Sequence, residues 1–238
     1  MSASDDLNDA ADWPPRIRSF VRRGGRMTRA QQRALVESWG RFGVEAGIAL
    51  NPANLFGRRA PLVLEIGFGD GESLAAMAAA DPEMDYLGIE VYLPGIGHLL
   101  LRAVELGLTN LRIMCADAVE ILERQLPDEC LDRVQIFFPD PWPKARHRKR
   151  RLIQPSFVSL LVRKLKPAGQ LHVATDCEDY ARSILDVLST ASGLTNRAAR
   201  DGFALRPAYR PPTKFERRGR SLGYNVWDML FERCDRQK

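Results

Sequence analysis

Histidine is scarce in this chain, with three residues in 238, and no strong general base stands out among them. One of the three, His147, sits inside a run of cations. Cysteine is scarce too: Cys115, Cys130, Cys177 and Cys234 are the whole set, and no two form a C-x-x-C pair. That excludes a zinc knuckle and a dithiol redox motif, and no metal is expected. Cys115 and Cys177 stand in or beside apolar runs of strand length and are expected to be buried thiols. No apolar run approaches membrane-spanning length, and the opening MSASDDLNDAADW is acidic and polar, unlike a secretory signal. A cytoplasmic protein with no membrane partner is expected. Acids are missing from one stretch, 13–33, where Arg16, Arg18, Arg22, Arg23, Arg26, Arg29 and Arg33 carry all the charge.

What is present supports a folded enzyme-sized domain. Hydrophobic residues make up 45% of the chain, enough for one sizeable core. The formal net charge of +5 and the pI of about 9.2 are a mild positive bias, a weak argument for a nucleic-acid partner by itself. Residues 1–12 form an acidic tail expected to be disordered, 13–57 a basic N-terminal extension and 58–238 the main domain. Within the extension, 28–44 is expected to be a helix capped by Thr28. Beyond it, apolar runs at 61–66, 85–91, 110–115, 131–138 and 170–175 read as strands. They alternate with helical patterns at 73–80, 94–106, 116–126, 155–165 and 177–189. The fold class is therefore α/β: a Rossmann-like, doubly wound, mostly parallel seven-stranded sheet with helices on both faces. The tail breaks the rhythm, and 203–209 and 224–234 are expected to add an antiparallel C-terminal edge.

In such sheets ligands bind beyond the carboxyl ends of the strands. The first strand ends in Glu65-Ile66-Gly67-Phe68-Gly69-Asp70-Gly71, whose glycines allow a sharp turn and close approach to a ligand. The second ends in Glu90, an acid placed to accept from two ribose hydroxyls. The third ends at Asp117, a helix cap or an acceptor for an adenine amino group. A pyrophosphate favours a helix N-terminus without nearby acids, whereas Glu65 and Asp70 flank this turn. Acids suit the sulfonium and ammonium of S-adenosylmethionine better than a dinucleotide, although a nicotinamide-dependent reductase shares the glycine pattern.

The fourth strand ends in Phe137-Phe138-Pro139-Asp140-Pro141-Trp142-Pro143-Lys144. Prolines on both sides hold Asp140 in a rigid turn. Trp142 offers a flat face for a base or packs in the core. Arg146, His147, Arg148, Lys149, Arg150 and Arg151 follow at once, a basic run able to grip phosphates beside the expected substrate mouth. These residues alone leave open an enzyme that methylates RNA, a non-catalytic RNA-binding module, and a methyltransferase for exocyclic amines. The last commonly uses an N/D-P-P-Y turn, where this chain has P-D-P-W.

With these stretches in view, the chain resembles the bacterial tRNA (guanine-N7-)-methyltransferase family. The matching segments are RSFVRRGGRMT (18–28), LEIGFGDGESL (64–74), GIEVYLPGIGHLL (88–100), NLRIMCADAVEIL (110–122), FFPDPWPKARHRKRR (137–151), HVATDCEDYA (172–181) and PPTKFERRGRSLGYNVWD (211–228). Tyr92 and Pro143 stand where histidine is common in the family. The resemblance implies that Glu65, Gly67, Gly69, Glu90, Asp117 and Asp140 bind S-adenosyl-L-methionine. It implies that Lys144, Asp176, Thr213, Lys214, Phe215 and Glu216 contact the substrate, guanosine 46 in the variable loop of tRNA. A monomer or homodimer is expected. Guanine N7 carries a lone pair in the ring plane, so its methylation requires no proton removal. Positioning then suffices, with Asp140 as the expected catalytic residue.

Overall fold

The computed structural model describes residues 18–20, 25–198, 201–212, 216 and 225–234. The acidic tail 1–12 lies outside them. Seven strands form one sheet in the order β3-β2-β1-β4-β5-β7-β6. These are β1 (Leu62–Ile66), β2 (Asp85–Glu90), β3 (Leu111–Cys115), β4 (Leu131–Phe137), β5 (Leu165–Thr175), β6 (Leu194–Asn196) and β7 (Trp227–Arg233). The pairs among β1 to β5 are parallel, and β7 runs antiparallel to both β5 and β6. The chain winds outward from β1 to β3, then returns to start β4 on the other side of β1. The switch point lies between β1 and β4, where their carboxyl ends open a crevice.

Alternation along the strands divides the core. Leu62, Leu64 and Ile66 of β1 face α5 (Ala118–Arg124), α6 (Pro155–Lys164) and α7 (Glu178–Thr190). Val63 faces the other layer, with α1 (Arg29–Phe42), α3 (Glu72–Ala80) and α4 (Leu93–Glu105). Glu65 lies on that second face, an acid where the pattern calls for a hydrophobe. The helix α1 starts where its sequence predicts. Thr28 accepts from Gln31 N, and the Gln31 side chain accepts from Thr28 N, a reciprocal capping box. Gln31 Nε2 also donates to Pro94 O at 3.1 Å, tying α1 to the start of α4.

Three expectations need correction. Residues 203–209 form no strand: Phe203 and Ala204 make isolated bridges, Ala204 to Asp228, while Leu205 points to solvent and Pro207 has no N–H for a ladder. The sheet edge is instead β6, a short segment too polar for its sequence to announce it. Cys115 is exposed and Cys177 only partly buried. Cys115 ends β3, the outermost strand, where the chain leaves the core. Two short helices also went unforeseen, α2 (Pro52–Phe56) and a 3-10 helix, Ala145–Arg150, formed by the basic run itself. No helix among the described residues is long and apolar enough to cross a membrane.

Candidate active site

The turn after β1 depends on its glycines. Gly67, Gly69 and Gly71 adopt φ of 73°, 61° and 76°, left-handed values that strain any residue with a Cβ. The same turn is pressed from outside by α4: a Cβ built on Gly95 meets Gly69 O at 1.8 Å. Gly95→Ala is therefore expected to displace the turn, costing about 100-fold in cofactor affinity by calorimetry while the α/β fold persists by circular dichroism. Wild-type affinity in that variant would show that the contact is not needed.

Glu90 closes the turn from β2. Its Oε2 accepts from Gly69 N at 2.9 Å, and its Oε1 accepts from Val91 N at 2.6 Å and Tyr92 N at 3.1 Å. The carboxylate is thus oriented by three backbone donors, with Oε2 retaining an acceptor direction toward the crevice. Asp117 caps α5, its Oδ1 accepting from Val119 N at 2.9 Å, and lines the same crevice. Both readings of Asp117, cap and ligand acceptor, are compatible with one placement.

Asp140 stands at the exposed rim of this crevice. The turn around it is strained: Phe138 and Trp142, neither a glycine, take φ of 53° and 43°. Three contacts hold it. Phe138 N donates to Ala174 O at 2.7 Å, Arg151 Nε donates to Pro141 O at 2.9 Å, and Trp142 Nε1 donates to Ser19 O at 3.1 Å. Trp142 is neither a core residue nor an open platform. Arg150 lies over its ring at 5.1 Å and His147 meets its edge at 5.9 Å.

Two adjoining pockets make one trough across the switch point. The first is lined by Gly67, Glu90, Asp117 and Asp140, together with Ser19 and Phe20 of the N-terminal segment. The second is lined by Glu65, Gly69, Asp70, Ser73, His98 and Pro211, among others. Gly67, Phe137 and Phe138 line both. Glu65 is buried within this trough, and its Oε2 has no hydrogen-bond partner. Burial, reinforced by the charges of Glu90 and Asp70, pushes its carboxyl up to about 8. Ser73 Oγ, on the same wall, is likewise buried without a partner.

The remaining sequence-derived residues divide. Lys144 and Asp176 are exposed but line neither pocket of the trough. Asp176 is no helix cap either, since Cys177 holds that position in α7. Thr213, Lys214 and Phe215 lie outside the described residues. Arg146, Arg148 and Lys149 are exposed on the 3-10 helix, and His147 and Arg150 partly so. Burial and the neighbouring Arg146 and Arg150 hold the His147 imidazole below its usual range. Arg151 departs from the basic run. It is buried, paired with Asp179, stacked 4.7 Å from the Tyr180 ring and bonded to Pro141 O. It supports the Asp140 turn from inside and has no face left for a phosphate.

Glu216 also departs from expectation. It is buried, and its Oε2 accepts from Arg210 Nη1 at 2.6 Å, so it faces a cation of its own chain. Arg210 was missed as a functional candidate although it directly precedes the Pro211-Pro212 of a quoted segment. Ser19 and Phe20, in the basic N-terminal extension, carry no sequence sign of a site role, yet they line the crevice. Among the described residues no cluster of His, Cys, Asp and Glu forms a metal site.

Comparison with known proteins gives a consistent picture. The family described as "Putative methyltransferase" matches residues 59–229. A tRNA (guanine-N(7)-)-methyltransferase of Nitrosococcus oceani is 57% identical, covering 98% of each chain. Those of Alcanivorax borkumensis and Methylococcus capsulatus are 55% and 54% identical, covering 92% and 94% of this chain and 92% and 96% of theirs. Among solved structures, a 16S rRNA (adenine(1408)-N(1))-methyltransferase from Catenulisporales acidiphilia, with cosubstrate SAM, superposes with a TM-score of 0.56 at 18% identity. It covers 79% of this chain and 94% of that one. The 16S rRNA methyltransferase KamB superposes with a TM-score of 0.55 at 15% identity, covering 82% and 98%. At such identities these structures establish the shared fold.

Proposed function

This chain belongs to the tRNA (guanine-N(7)-)-methyltransferase family, and on that premise we propose that its trough carries methyl transfer from S-adenosylmethionine to N7 of guanine in tRNA. The observation that carries the reading is the convergence of Glu65, Glu90, Asp117 and Asp140 on one trough at the β1–β4 switch point, beside an exposed basic helix. The residues fit a cationic amino-acid cofactor: Glu65 Oε2 and Ser73 Oγ are buried acceptors without partners, which an ammonium satisfies. Glu65 and Ser73 would hold the amino-acid end, Glu90 the ribose and Asp117 the adenine, with Gly67 and Gly69 giving backbone access. The cofactor supplies an electrophilic methyl group on a sulfonium.

The protein's part is placement. Guanine N7 presents its lone pair without deprotonation, so no residue has to remove a proton. Asp140, held by its strained proline-flanked turn, orients the base and favours the positive charge the ring gains. Asp176 and Lys144, exposed beside the ends of β5 and β4, are assigned to the RNA outside the trough. Arg146, His147, Arg148, Lys149 and Arg150 are assigned to its phosphates. Lys214 and the rest of the Thr213–Phe215 segment complete the proposed substrate set, with guanosine 46 of the variable loop as the target.

Labelled methyl transfer to bulk tRNA, followed by digestion to nucleosides, tests the reading: the label is expected in 7-methylguanosine. Label in another nucleoside overturns the choice of N7, and a tRNA lacking guanosine 46 that still takes label overturns the choice of position. Replacing Arg148, Lys149 and Arg150 together with Gln is expected to weaken tRNA binding about 10-fold or more and to reduce the slope of log K against log salt by about 2 to 3. An unchanged slope would remove the phosphate role from this helix.

A further inference from the structure

Arg210 is fully buried, and every nitrogen of its guanidinium is engaged by a carboxylate. Its Nε donates to Asp228 Oδ1 at 2.7 Å and its Nη2 to Asp228 Oδ2 at 2.9 Å, while Nη1 donates to Glu216 Oε2 at 2.6 Å. Asp228 lies on β7 opposite Ala174 of β5, the residue whose carbonyl receives Phe138 N. His172 of β5, kept neutral by burial, donates from Nε2 to Asp228 Oδ1 at 2.7 Å. It accepts at Nδ1 from the Tyr209 hydroxyl at 2.9 Å. The guanidinium also lies 5.7 Å from the Phe137 ring and 5.9 Å from the Phe138 ring. Pro211 and Pro212, the next residues in the chain, line the trough together with those two aromatics.

An apolar side chain would fill this interior without the desolvation cost of burying a charge. The fork does what an apolar side chain cannot: it fixes one orientation of the chain at 210 relative to β7 and to Glu216 at once. We propose that Arg210 is a positioning residue for methyl transfer, clamping Asp228 to Glu216 so that Pro211 and Pro212 stand as a fixed wall opposite Phe137 and Phe138. The proposal rests on the reading above, in which this trough receives the target guanine. Arg210 touches neither substrate nor cofactor and acts through the wall it holds. Its hydrogen bonds and ring contacts reach none of Glu65, Ser73, Glu90 and Asp117, so its loss is expected to lower kcat far more than cofactor affinity.

Arg210→Lys keeps the charge but not the fork, and Asp228→Asn keeps the shape but halves the charge pairing. Each variant is taken through thermal melting, calorimetric titration with S-adenosylmethionine, and kcat and KM for tRNA at saturating cofactor. Both are expected to bind cofactor within about 3-fold of wild type, while kcat falls about 100-fold for the Lys variant, the cost of a misplacement near 1 Å. Asp228→Asn is expected to fall between. Folded variants with wild-type kcat overturn the proposal, as does a loss of kcat that merely follows the folded fraction. If Arg210→Lys fails to melt cooperatively, Asp228→Asn decides on the same criteria. A wild-type chain that labels no guanine overturns the functional reading and this proposal with it. A wild-type chain that labels guanine alongside equally active variants overturns the proposal alone.

Discussion

Asp140→Asn is expected to lower methyl transfer by about 10²- to 10³-fold without changing the melting temperature. The two halves of that result have separate causes. Asp140 is exposed at the rim, so its replacement by an isosteric amide removes no packing, and an exposed substitution of this kind shifts stability by about 0.5 kcal/mol or less. The carboxylate itself is held by structure that stores strain. Pro139 and Pro141 restrict the backbone, and Phe138 and Trp142 keep left-handed conformations because Ala174, Arg151 and Ser19 bond the turn from three sides. A charge fixed in that way needs no reorganisation as positive charge builds on the guanine ring. Asn preserves the shape and loses the charge, so kcat falls more than cofactor affinity. A folded Asn variant with wild-type kcat would falsify the assignment.

Glu65→Gln is expected to stabilise the protein at pH 8 and to weaken cofactor binding by about 10²- to 10⁴-fold. The Glu65 carboxyl, raised to about 8 by burial and by Glu90 and Asp70, stays protonated in the ligand-free fold at neutral pH. In the unfolded chain it titrates near its ordinary 4.5. Between those values the unfolded state holds fewer protons, so stability falls as pH rises through this window and the loss is complete above about 8. Gln cannot ionise, and the slope contributed by this residue disappears. Thermal melts from pH 4.5 to 8.5 are expected to show the variant gaining on wild type as pH rises.

Cofactor binding runs the other way. A buried ammonium left without its carboxylate costs about 3–5 kcal/mol, which is about 10²- to 10⁴-fold in affinity. In the wild type, carboxylate formation at Glu65 accompanies binding, so affinity rises with pH up to about 8 and a proton is released. Calorimetry in buffers of different ionisation enthalpy measures that release. A Gln variant that binds cofactor normally removes Glu65 from the site.

The parts of the fold that were legible in the sequence are those decided by near neighbours. Thr28 and Gln31 mark the start of α1 because a capping box is complete within one turn. The run Leu62–Ile66 reads as a buried strand because it is short, apolar apart from Glu65 and followed at once by a glycine turn. The glycine turn, the acids after β1, β2 and β3, and Asp140 between its prolines are likewise local, and topology alone sends strand ends to a common edge. The 203–209 stretch misled for the same reason: its apolar residues are spaced like a strand, but past the bridge at Ala204 it joins no ladder, and Pro207 has no N–H to extend one.

What the tertiary structure decided is the state of the charges. Arg151 reads in sequence like its basic neighbours, yet Asp179 and Tyr180 of α7 draw it inside and turn it into a brace for the Asp140 turn. Glu65 resembles any acid beside a glycine turn until its burial is known, and only burial raises its carboxyl and leaves Oε2 without a partner. Arg210, Glu216 and Asp228 carry no local sign of their pairing, which forms because β7 returns to lie against β5. Composition and spacing therefore determined the α/β class, the strand-end acids and the rigid carboxylate after β4. Desolvation and long-range pairing depend on which distant segments meet, and they decided which of the charged residues line the trough and which brace the chain around it.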